Sequence, residues 1–214
     1  GPSAPRKRPA PAGRAIRIEH GVPILDLASP APVLKPGEAL IRPTRLSTSS
    51  ADVAVLEGRL EFRGIVGHEF VGVVERVEPS GKAGASDAEA RWLGRRVVGS
   101  PIVMCWKCDL CRGGLAAHCR ERTVIGLDTR SGCFADHFAL PLINLYEVPA
   151  NVDDEQALFV PALSVAFQAA SLLRLEGKVY VTILGDGPVG LLAAQIMARR
   201  NARTRVLGRT PAKF

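Results

Sequence analysis

Short stretches of alternating apolar and polar residues dominate the N-terminal part of the chain and predict β-strands. Four of them are 15–19, 38–46, 70–77 and 95–98. Pro43 lies within the second stretch. Because proline has no N–H to donate to a neighbouring strand, it predicts an edge strand or a bulged one. Prolines and glycines separate these stretches, so a small β-barrel or sandwich is expected here.

Between and after these stretches, residues 81–91 are small and polar and predict a surface loop, and 153–173 predict a helix. The pattern changes at residue 179. Residues 179–184 then form a continuous apolar run, which is typical of a parallel strand buried on both faces. An apolar helix through Arg200 and a second strand at 204–207 follow, so the chain is predicted to be mixed α/β.

A glycine motif, Gly-Asp-Gly-Pro-Val-Gly, connects the strand at 179–184 to the helix after it. In this setting G-x-G-x-x-G is a dinucleotide-binding motif, because the glycines permit a tight turn and let the backbone approach a diphosphate at the helix N-terminus. The alternative is a glycine-rich turn that only packs. The residues expected to contact the cofactor are Gly185, Gly187, Pro188, Val189 and Gly190.

The end of the second strand bears on the choice of cofactor. Enzymes that use NAD usually have an acidic residue there, which binds the adenine ribose hydroxyls. This chain has Leu207-Gly208-Arg209-Thr210 instead. A missing acid and an available guanidinium favour NADP(H) over NAD(H), with Arg209 pairing with the 2′-phosphate. The alternative is a solvated arginine in a basic stretch.

Composition and charge exclude several classes of protein. With 47% hydrophobic and 23% charged residues, the sequence is typical of a globular chain rather than a disordered one. No apolar stretch reaches the roughly 18 residues that a membrane-spanning helix needs, so no membrane partner is expected. The formal net charge is +7, but five basic residues and no acid lie within the first 17 residues. The excess therefore predicts a disordered basic lead-in, not a nucleic-acid partner.

Four of the five cysteines lie in one short stretch with the spacing C-x2-C-x2-C-x7-C. Four thiolates so close together can surround one Zn²⁺ tetrahedrally, and such a closed site braces a loop without doing chemistry. Disulfides are the alternative, but cysteines spaced by three are hard to pair in one compact loop. Cys133 is predicted to be a small apolar filler, and His118 a loop residue. The predicted ligands of the structural zinc are Cys105, Cys108, Cys111 and Cys119.

Together these features resemble the medium-chain dehydrogenase/reductase superfamily, and more closely its zinc-containing alcohol dehydrogenase branch. The stretches 64–72, with Gly67-His68-Glu69, and 132–136, Gly-Cys-Phe-Ala-Asp, are similar to family signatures. The resemblance covers residues 15–214. It implies a GroES-like β-barrel domain, the opening of a Rossmann domain, and hydride transfer between NAD(P) and a small alcohol, polyol or carbonyl.

The resemblance also implies catalytic residues. His68 would bind a catalytic zinc, with Glu69 beside it and Asp52 orienting the imidazole. Ser49 stands where the family has its first ligand, a cysteine, and a serine hydroxyl is a poor replacement for a thiolate. This departure from the family pattern leaves three possibilities open: a non-standard zinc site around His68, a zinc-free carbonyl or alkene reductase, or a catalytically silent relic of the fold.

Two more positions depart from the family pattern. Ala51 replaces the hydroxyl residue that passes the substrate proton, and Pro161 replaces the third zinc ligand. Both departures favour the zinc-free alternative, whereas the four-cysteine lobe favours the zinc enzyme. A nucleic-acid-binding zinc ribbon would explain the cysteines and the charge. It would not explain the glycine motif, and no aromatic stacking platform accompanies the basic residues.

The predicted organisation has four parts: a basic lead-in at 1–14, the GroES-like domain at 15–150 with its zinc lobe at about 104–120, a connecting helix at 151–178, and a partial Rossmann domain at 179–214. Family members are longer, so the chain is expected to lack the remainder of its nucleotide-binding domain. A small-molecule substrate, a cytoplasmic location and, at full length, a homo-oligomer are also expected.

Overall fold

The structure, a computed structural model, describes four segments of the chain: 12–81, 86–174, 179–200 and 202–213. Most of the predicted lead-in, residues 1–11, lies outside them. Two compact units divide between Leu158 and Phe159, inside the predicted connecting segment 151–178. Antiparallel strands dominate the N-terminal unit, and the C-terminal unit contains a parallel pair. The mixed α/β class predicted from the sequence is confirmed.

Ten strands form in the described part of the N-terminal unit. Their bounds are β1 Gly13–Glu19, β2 Val22–Ser29, β3 Glu38–Ser47, β4 Gly64–Ile65, β5 Glu69–Val77, β6 Arg96–Gly99, β7 Ile102–Val103, β8 Thr123–Val124, β9 Phe138–Pro141 and β10 Leu145–Glu147. The order in the larger sheet is β10-β6-β5-β3-β9, and in the smaller one β2-β1-β4. Strands β7 and β8 pair separately at the base of the cysteine lobe.

Pro43 lies within β3, which runs between two neighbours and is not an edge strand. Strand β9 pairs only with Glu38–Ile41, and the register with β5 shifts between Pro43 and Arg45. The bulged alternative predicted for this strand is therefore the one that forms. The irregularity falls where β9 has ended, so the missing proline N–H interrupts no described pairing on that side.

The main core lies against the larger sheet. The rings of Phe70 and Phe138 meet edge to face, 4.6 Å apart between centroids, and pack with fully buried aliphatic side chains. Cys133 is buried in the same cluster, as predicted for a small apolar filler. A second cluster joins Ile18 and Val55 to Val66. This second cluster fixes the segment that leads to His68.

Four helices lie in the described part of this unit: α1 Ser50–Leu56, α2 Ser86–Ala90, α3 Asp109–Arg112 and α4 Asp154–Ala157. The predicted surface loop at 81–91 is wrong in part, because α2 forms within it. The single helix predicted at 153–173 is divided in two, because a turn at Leu158 and Phe159 ends α4 before the next helix begins.

The C-terminal unit begins with α5 Val160–Ser171 and continues through β11 Tyr180–Leu184, α6 Pro188–Arg199 and β12 Arg203–Leu207. The two strands are parallel, as expected of a Rossmann opening. Their inward side chains pack on Ala170 and Met197 of the helices. The outward side of β11 is exposed, with Leu184 80% accessible, so the predicted burial on both faces is wrong in the described residues. No helix in the described segments is long and apolar enough to cross a membrane.

Candidate active site and metal centre

Ser49 ends the turn between β3 and α1 and caps the helix. Its hydroxyl oxygen accepts hydrogen bonds from the backbone N–H groups of Ala51, at 3.0 Å, and Asp52, at 3.4 Å. In return, the Asp52 carboxylate accepts a 2.7 Å hydrogen bond from the Ser49 N–H. This reciprocal capping box follows from the sequence Ser-x-x-Asp and holds both side chains at the start of the helix.

His68 is held by a tight approach of three glycines. A Cβ atom at Gly126 or at Gly132 would overlap the Gly67 carbonyl oxygen, and one at Gly67 would overlap the Phe134 ring. Backbone hydrogen bonds join the same segments, including 2.9 Å from Cys133 N–H to the Gly67 oxygen. His68 is buried, with 8% of its surface exposed. Because the backbone beside it is fixed by these contacts, the imidazole ring is directed toward Ser49 and Asp52.

Both ring nitrogens of His68 contact groups of α1. The Nε2 atom lies 3.2 Å from Ser49 Oγ, and Nδ1 lies 3.2 Å from Asp52 Oδ1. Nδ1 and Oδ1 are both buried and face each other at ion-pair distance, but their geometry makes no hydrogen bond, and neither atom has a hydrogen-bond partner in the described segments. Hydroxyl, imidazole and carboxylate thus lie in consecutive contact. The structure thus brings together three of the four predicted catalytic side chains, although it does not test their roles.

Asp52 stays ionised in this arrangement. Burial acts to raise the pKa of its carboxyl group, but the adjacent His68 ring and hydrogen bonding from Ser49 outweigh burial and leave the pKa below its usual value. A buried carboxylate facing Nδ1 favours the tautomer with a proton on that nitrogen. Nε2 is then free to accept a proton from the Ser49 side.

Glu69, the fourth predicted catalytic residue, lies at the start of β5. Burial raises the pKa of its carboxyl group, and Asp52 adds to the rise, while His68 and Ser47 oppose it. The backbone oxygen of Glu69 accepts a 3.6 Å hydrogen bond from the Cys133 thiol. The neighbourhood of Glu69 therefore favours a protonated carboxyl more than an ordinary surface position does.

These residues do not fit a catalytic zinc. Ser49 offers a neutral hydroxyl at the position where a thiolate would bind zinc. The His68 Nε2 atom, which would be the zinc-binding nitrogen, contacts that hydroxyl instead. Pro161 has no donor atom in its side chain. In the described segments, the one group of three or more ligand side chains within reach of a single ion is the cysteine cluster. A third donor to complete a site at His68 is missing from them.

The four predicted zinc ligands converge in the lobe between β7 and β8. Their sulfur atoms all lie within 4.8 Å of one another. Cys105 Sγ is 3.5 Å from Cys119 Sγ and 4.0 Å from Cys111 Sγ. Disulfides are far shorter, about 2.05 Å between sulfurs. Tetrahedral Zn–S bonds of about 2.3 Å place sulfurs about 3.8 Å apart, so this geometry fits a zinc ion.

Backbone groups prepare the cluster for a cation. The N–H groups of Cys111 and Arg120 donate to Cys108 and lower the pKa of its thiol to about 6. The Cys105 N–H lowers the pKa of Cys119 in the same way, while burial raises the pKa of Cys111 to about 12. The pKa values of Cys108 and Cys119 are thus both lowered, and a bound metal would favour ionisation of all four thiols. His118 lies in a short 3-10 turn beside the cluster and is exposed, as predicted.

The predicted cofactor residues form the turn between β11 and α6. Gly185 has a φ of +120°, and its N–H donates to the Leu207 oxygen at 2.8 Å. Gly187 caps α6, and Pro188 and Val189 open its first turn. A Cβ at Gly185 or Gly187 would meet no atom within 4 Å, whereas one at Gly190 would overlap the Gly185 oxygen. The first two glycines leave space for a diphosphate, and the third permits close packing.

Arg209 follows β12, at the end of the strand where the ribose of a dinucleotide binds. Its side chain is exposed and has no hydrogen-bond or ion-pair partner in the described segments. Asp186, which the sequence analysis did not select, is different. Its carboxylate accepts a 2.8 Å hydrogen bond from the Thr210 N–H, and its backbone oxygen accepts one from Lys213 Nζ at 3.1 Å. The signal for it in the sequence is an acidic residue inside the glycine motif.

The fold and these motifs are those of the GroES-like alcohol dehydrogenases. The sequence profile of that family, described as the alcohol dehydrogenase GroES-like domain, matches residues 35–150. The chain belongs to the medium-chain dehydrogenase/reductase superfamily, in its zinc-containing alcohol dehydrogenase-like branch. The resemblance drawn from the sequence is thereby confirmed.

Individual relatives agree with this placement. The chain is 28% identical to the L-threonine 3-dehydrogenase of Photorhabdus laumondii over 90% of its own length and 55% of the relative's. A structure from Sinorhizobium meliloti 1021 with NADP bound matches 94% of the chain and 57% of that protein, at a TM-score of 0.78 and 26% identity. The cobalt- and zinc-bound thermostable alcohol dehydrogenase of Pyrobaculum aerophilum matches 93% and 60%, also at 0.78 and 26%. The chain therefore spans little more than half the length of the relatives it matches.

Proposed function

We propose that this protein is an NAD(P)-dependent oxidoreductase that transfers hydride between its cofactor and a small alcohol, polyol or carbonyl compound. The observation that carries the proposal is the buried group of Ser49, His68 and Asp52 in a GroES-like alcohol dehydrogenase domain: Ser49 is hydrogen-bonded to both of the others, and His68 Nδ1 lies 3.2 Å from Asp52 Oδ1. A glycine motif suited to a dinucleotide lies in the same polypeptide. The oxidoreductase activity of the relatives supports the same class of reaction.

The side chains around His68 can polarise a substrate oxygen without a metal. Asp52 would hold the imidazole by Nδ1, and the Ser49 hydroxyl would donate a hydrogen bond to the carbonyl oxygen of the substrate. In alcohol oxidation the substrate hydroxyl would pass its proton to Ser49 Oγ while the Ser49 proton moves to His68 Nε2, and the Asp52 carboxylate would face the imidazolium that forms. Carbonyl reduction would use the reverse transfer, from the imidazolium through Ser49 to the substrate oxygen. This favours the zinc-free alternative for the chemical step, because the donor set at His68 does not fit zinc.

The C-terminal unit would hold the cofactor. The nicotinamide supplies the hydride acceptor and donor chemistry when it is bound. Gly185 and Gly187 would leave room for the diphosphate at the N-terminus of α6, and Val189 and Pro188 would line its approach. NADP(H) is proposed over NAD(H), because Arg209, exposed and without a partner among the described residues, occupies the position at which NAD enzymes have an acid.

We also propose one structural zinc, bound by Cys105, Cys108, Cys111 and Cys119. The sulfur separations and the two lowered thiol pKa values support it. A closed four-thiolate site has no open position for substrate, so this ion would brace the lobe and take no part in hydride transfer. The small-molecule substrate, the cytoplasmic location and a homo-oligomeric assembly also remain proposals.

Turnover by variants at His68 tests the proposed activity. NADPH consumption would be followed by absorbance with a panel of small aldehydes and ketones, and NADP⁺ reduction with the matching alcohols. His68→Ala should lower kcat/KM about 100-fold or more, because it removes the proton acceptor behind Ser49. His118→Ala is the matched control, since this histidine is exposed beside the cysteine lobe, and its variant should keep the wild-type rate.

Two results would contradict the proposal. If the wild-type protein binds cofactor but turns over no substrate in the panel, the silent-relic alternative is favoured. If His68→Ala keeps full activity, the chemistry does not take place at this site.

A further inference from the structure

Asp186 stands at an unusual place for an acid. It lies between Gly185 and Gly187, in the turn that the proposed function assigns to a cofactor diphosphate. A carboxylate there repels a diphosphate, so its charge alone weakens cofactor binding. Because its charge weakens cofactor binding, Asp186 is expected to stabilise the turn in some other way.

The contacts of Asp186 supply that contribution. Its carboxylate accepts the Thr210 N–H at 2.8 Å, and its backbone oxygen accepts Lys213 Nζ at 3.1 Å. Hydrogen bonding from Thr210 also lowers the pKa of the Asp186 carboxyl, so the acceptor remains ionised. Both partners lie beyond the end of β12. Asp186 therefore fastens the glycine turn to the segment that follows the second strand.

That segment carries Arg209, the residue directly before Thr210. A second hydrogen bond, 2.8 Å from the Gly185 N–H to the Leu207 oxygen, joins the same two segments on the other side of Arg209. The backbone of Arg209 is thus held from both sides by the glycine turn, while its guanidinium has no partner in the described segments. An arginine with a fixed backbone and a free head group is arranged to bind an anion beside that turn.

We propose that Asp186 is a positioning residue for cofactor specificity: it holds the Arg209 segment against the glycine turn, so that the guanidinium meets the 2′-phosphate that distinguishes NADP from NAD. This inference rests on the proposed cofactor binding in this unit. It separates two effects of one side chain. The charge of Asp186 disfavours both cofactors, and NADP at least as much as NAD because of its additional phosphate, whereas its hydrogen bond to Thr210 favours NADP alone.

Two substitutions at Asp186 distinguish these effects. Asp186→Asn keeps an oxygen acceptor for the Thr210 N–H and removes the charge, so both cofactors should bind more tightly, and the preference for NADP⁺ should stay that of the wild type or rise. Asp186→Ala removes the acceptor as well. Compared with Asp186→Asn, it should reduce the preference for NADP⁺ over NAD⁺ about threefold to tenfold, the range for one lost hydrogen bond.

The measurement is isothermal titration of the full chain with NADP⁺ and NAD⁺, repeated with the smaller pair 2′,5′-ADP and 5′-AMP. Arg209→Ala should lose the preference by itself, and adding Asp186→Ala to it should lower the preference no further. Arg205→Ala is the control, since this arginine bonds Thr182 Oγ1 at 3.3 Å on the sheet and should leave the preference unchanged. General destabilisation of the unit would weaken both cofactors alike and leave their ratio intact.

The possible failures are separable. If the wild-type protein binds neither cofactor nor either nucleotide, the proposed function fails and this inference fails with it. If NADP⁺ binds with a preference that depends on Arg209 but not on Asp186, cofactor binding stands and the positioning role is wrong. A preference that survives Arg209→Ala contradicts the positioning role too, because the 2′-phosphate is then bound elsewhere.

Discussion

The hydroxyl of Ser49 contributes to stability and to the site through the same oxygen atom. It accepts two backbone N–H groups at the start of α1 and lies 3.2 Å from His68 Nε2. A serine caps a helix well, and it can pass a proton to an imidazole. Ser49 is therefore a poor zinc ligand, but it can serve both as a helix cap and as a proton-transfer group.

Removal of this hydroxyl should destabilise the protein. Ser49→Ala is expected to lower the free energy of unfolding by about 1 kcal/mol, within the range measured for lost N-caps. Ser50→Ala is the matched control, because Ser50 is exposed in the first turn and its variant should change stability little. Denaturant titration of both variants checks this. Equal stability of the two would contradict a capping role for Ser49.

Some residues of the site could be identified from the sequence, and others could not. Ser49, Asp52 and His68 were found by the register of a family motif, and the cysteines by their spacing. Asp186 was missed, because its importance depends on Thr210 and Lys213, which lie more than twenty residues away in sequence and beside it in the fold. Spacing identifies local ligand sets, but contacts across two strands need the structure.

The turn between β11 and α6 is the element on which cofactor binding depends, and two of its glycines are required for different reasons. Gly190 is needed for packing, since a Cβ there would overlap the Gly185 oxygen. Gly187 has an ordinary negative φ of −77° and open space around its hydrogen. Its lack of a side chain matters only when something else occupies that space.

A pair of alanine variants separates these reasons. Gly190→Ala should destabilise the C-terminal unit by roughly 1–3 kcal/mol, the usual cost of an overpacked site. Gly187→Ala should fold as the wild type does and weaken binding of NADP⁺, because its methyl group would enter the space proposed for the diphosphate. Thermal unfolding and titration of both variants give the two readouts. Loss of stability in both, or of binding in neither, would contradict this division.

The elements predicted correctly are those with a strong local pattern. β5 and the strand–helix–strand of the C-terminal unit follow from their apolar runs. β2 was missed, because its apolar side chains are largely exposed, with Leu27 70% accessible, and no alternation marks it. α1 was missed as well, since it has only seven residues and depends on its cap and on the packing of Val55 against Ile18 and Val66.

At the scale of the whole molecule, the protein has two compact units, and each contains its own proposed ligand site. The cysteine lobe is part of the first unit and is closed at its base by the two short strands β7 and β8. Ion pairs between Lys107 and Glu121 and between Arg120 and Asp109 lie on its surface and are exposed. Exposed ion pairs contribute little to the free energy of unfolding. The stability of the lobe is therefore expected to depend on its bound zinc.

Zinc content checks this expectation. Protein purified without added metal should contain one zinc per chain by elemental analysis, and Cys105→Ser should lose it. Cys133→Ser is the matched control and should keep the ion, because Cys133 is buried in the main core and away from the cluster. Two zinc ions per chain, with one lost in His68→Ala, would show that a second site forms and would contradict the zinc-free mechanism.

The close approach of Gly67 to Gly126 and Gly132 has a consequence for the order in which the protein assembles. The backbone beside His68 is held by Gly126, Gly132 and Phe134. These residues lie about 60 positions later in the sequence, so they leave the ribosome well after His68 does. Contacts so distant in sequence form slowly. The imidazole therefore cannot reach its final place in a nascent chain that still lacks residues 126–134, and the site is completed only after most of the GroES-like domain has been made.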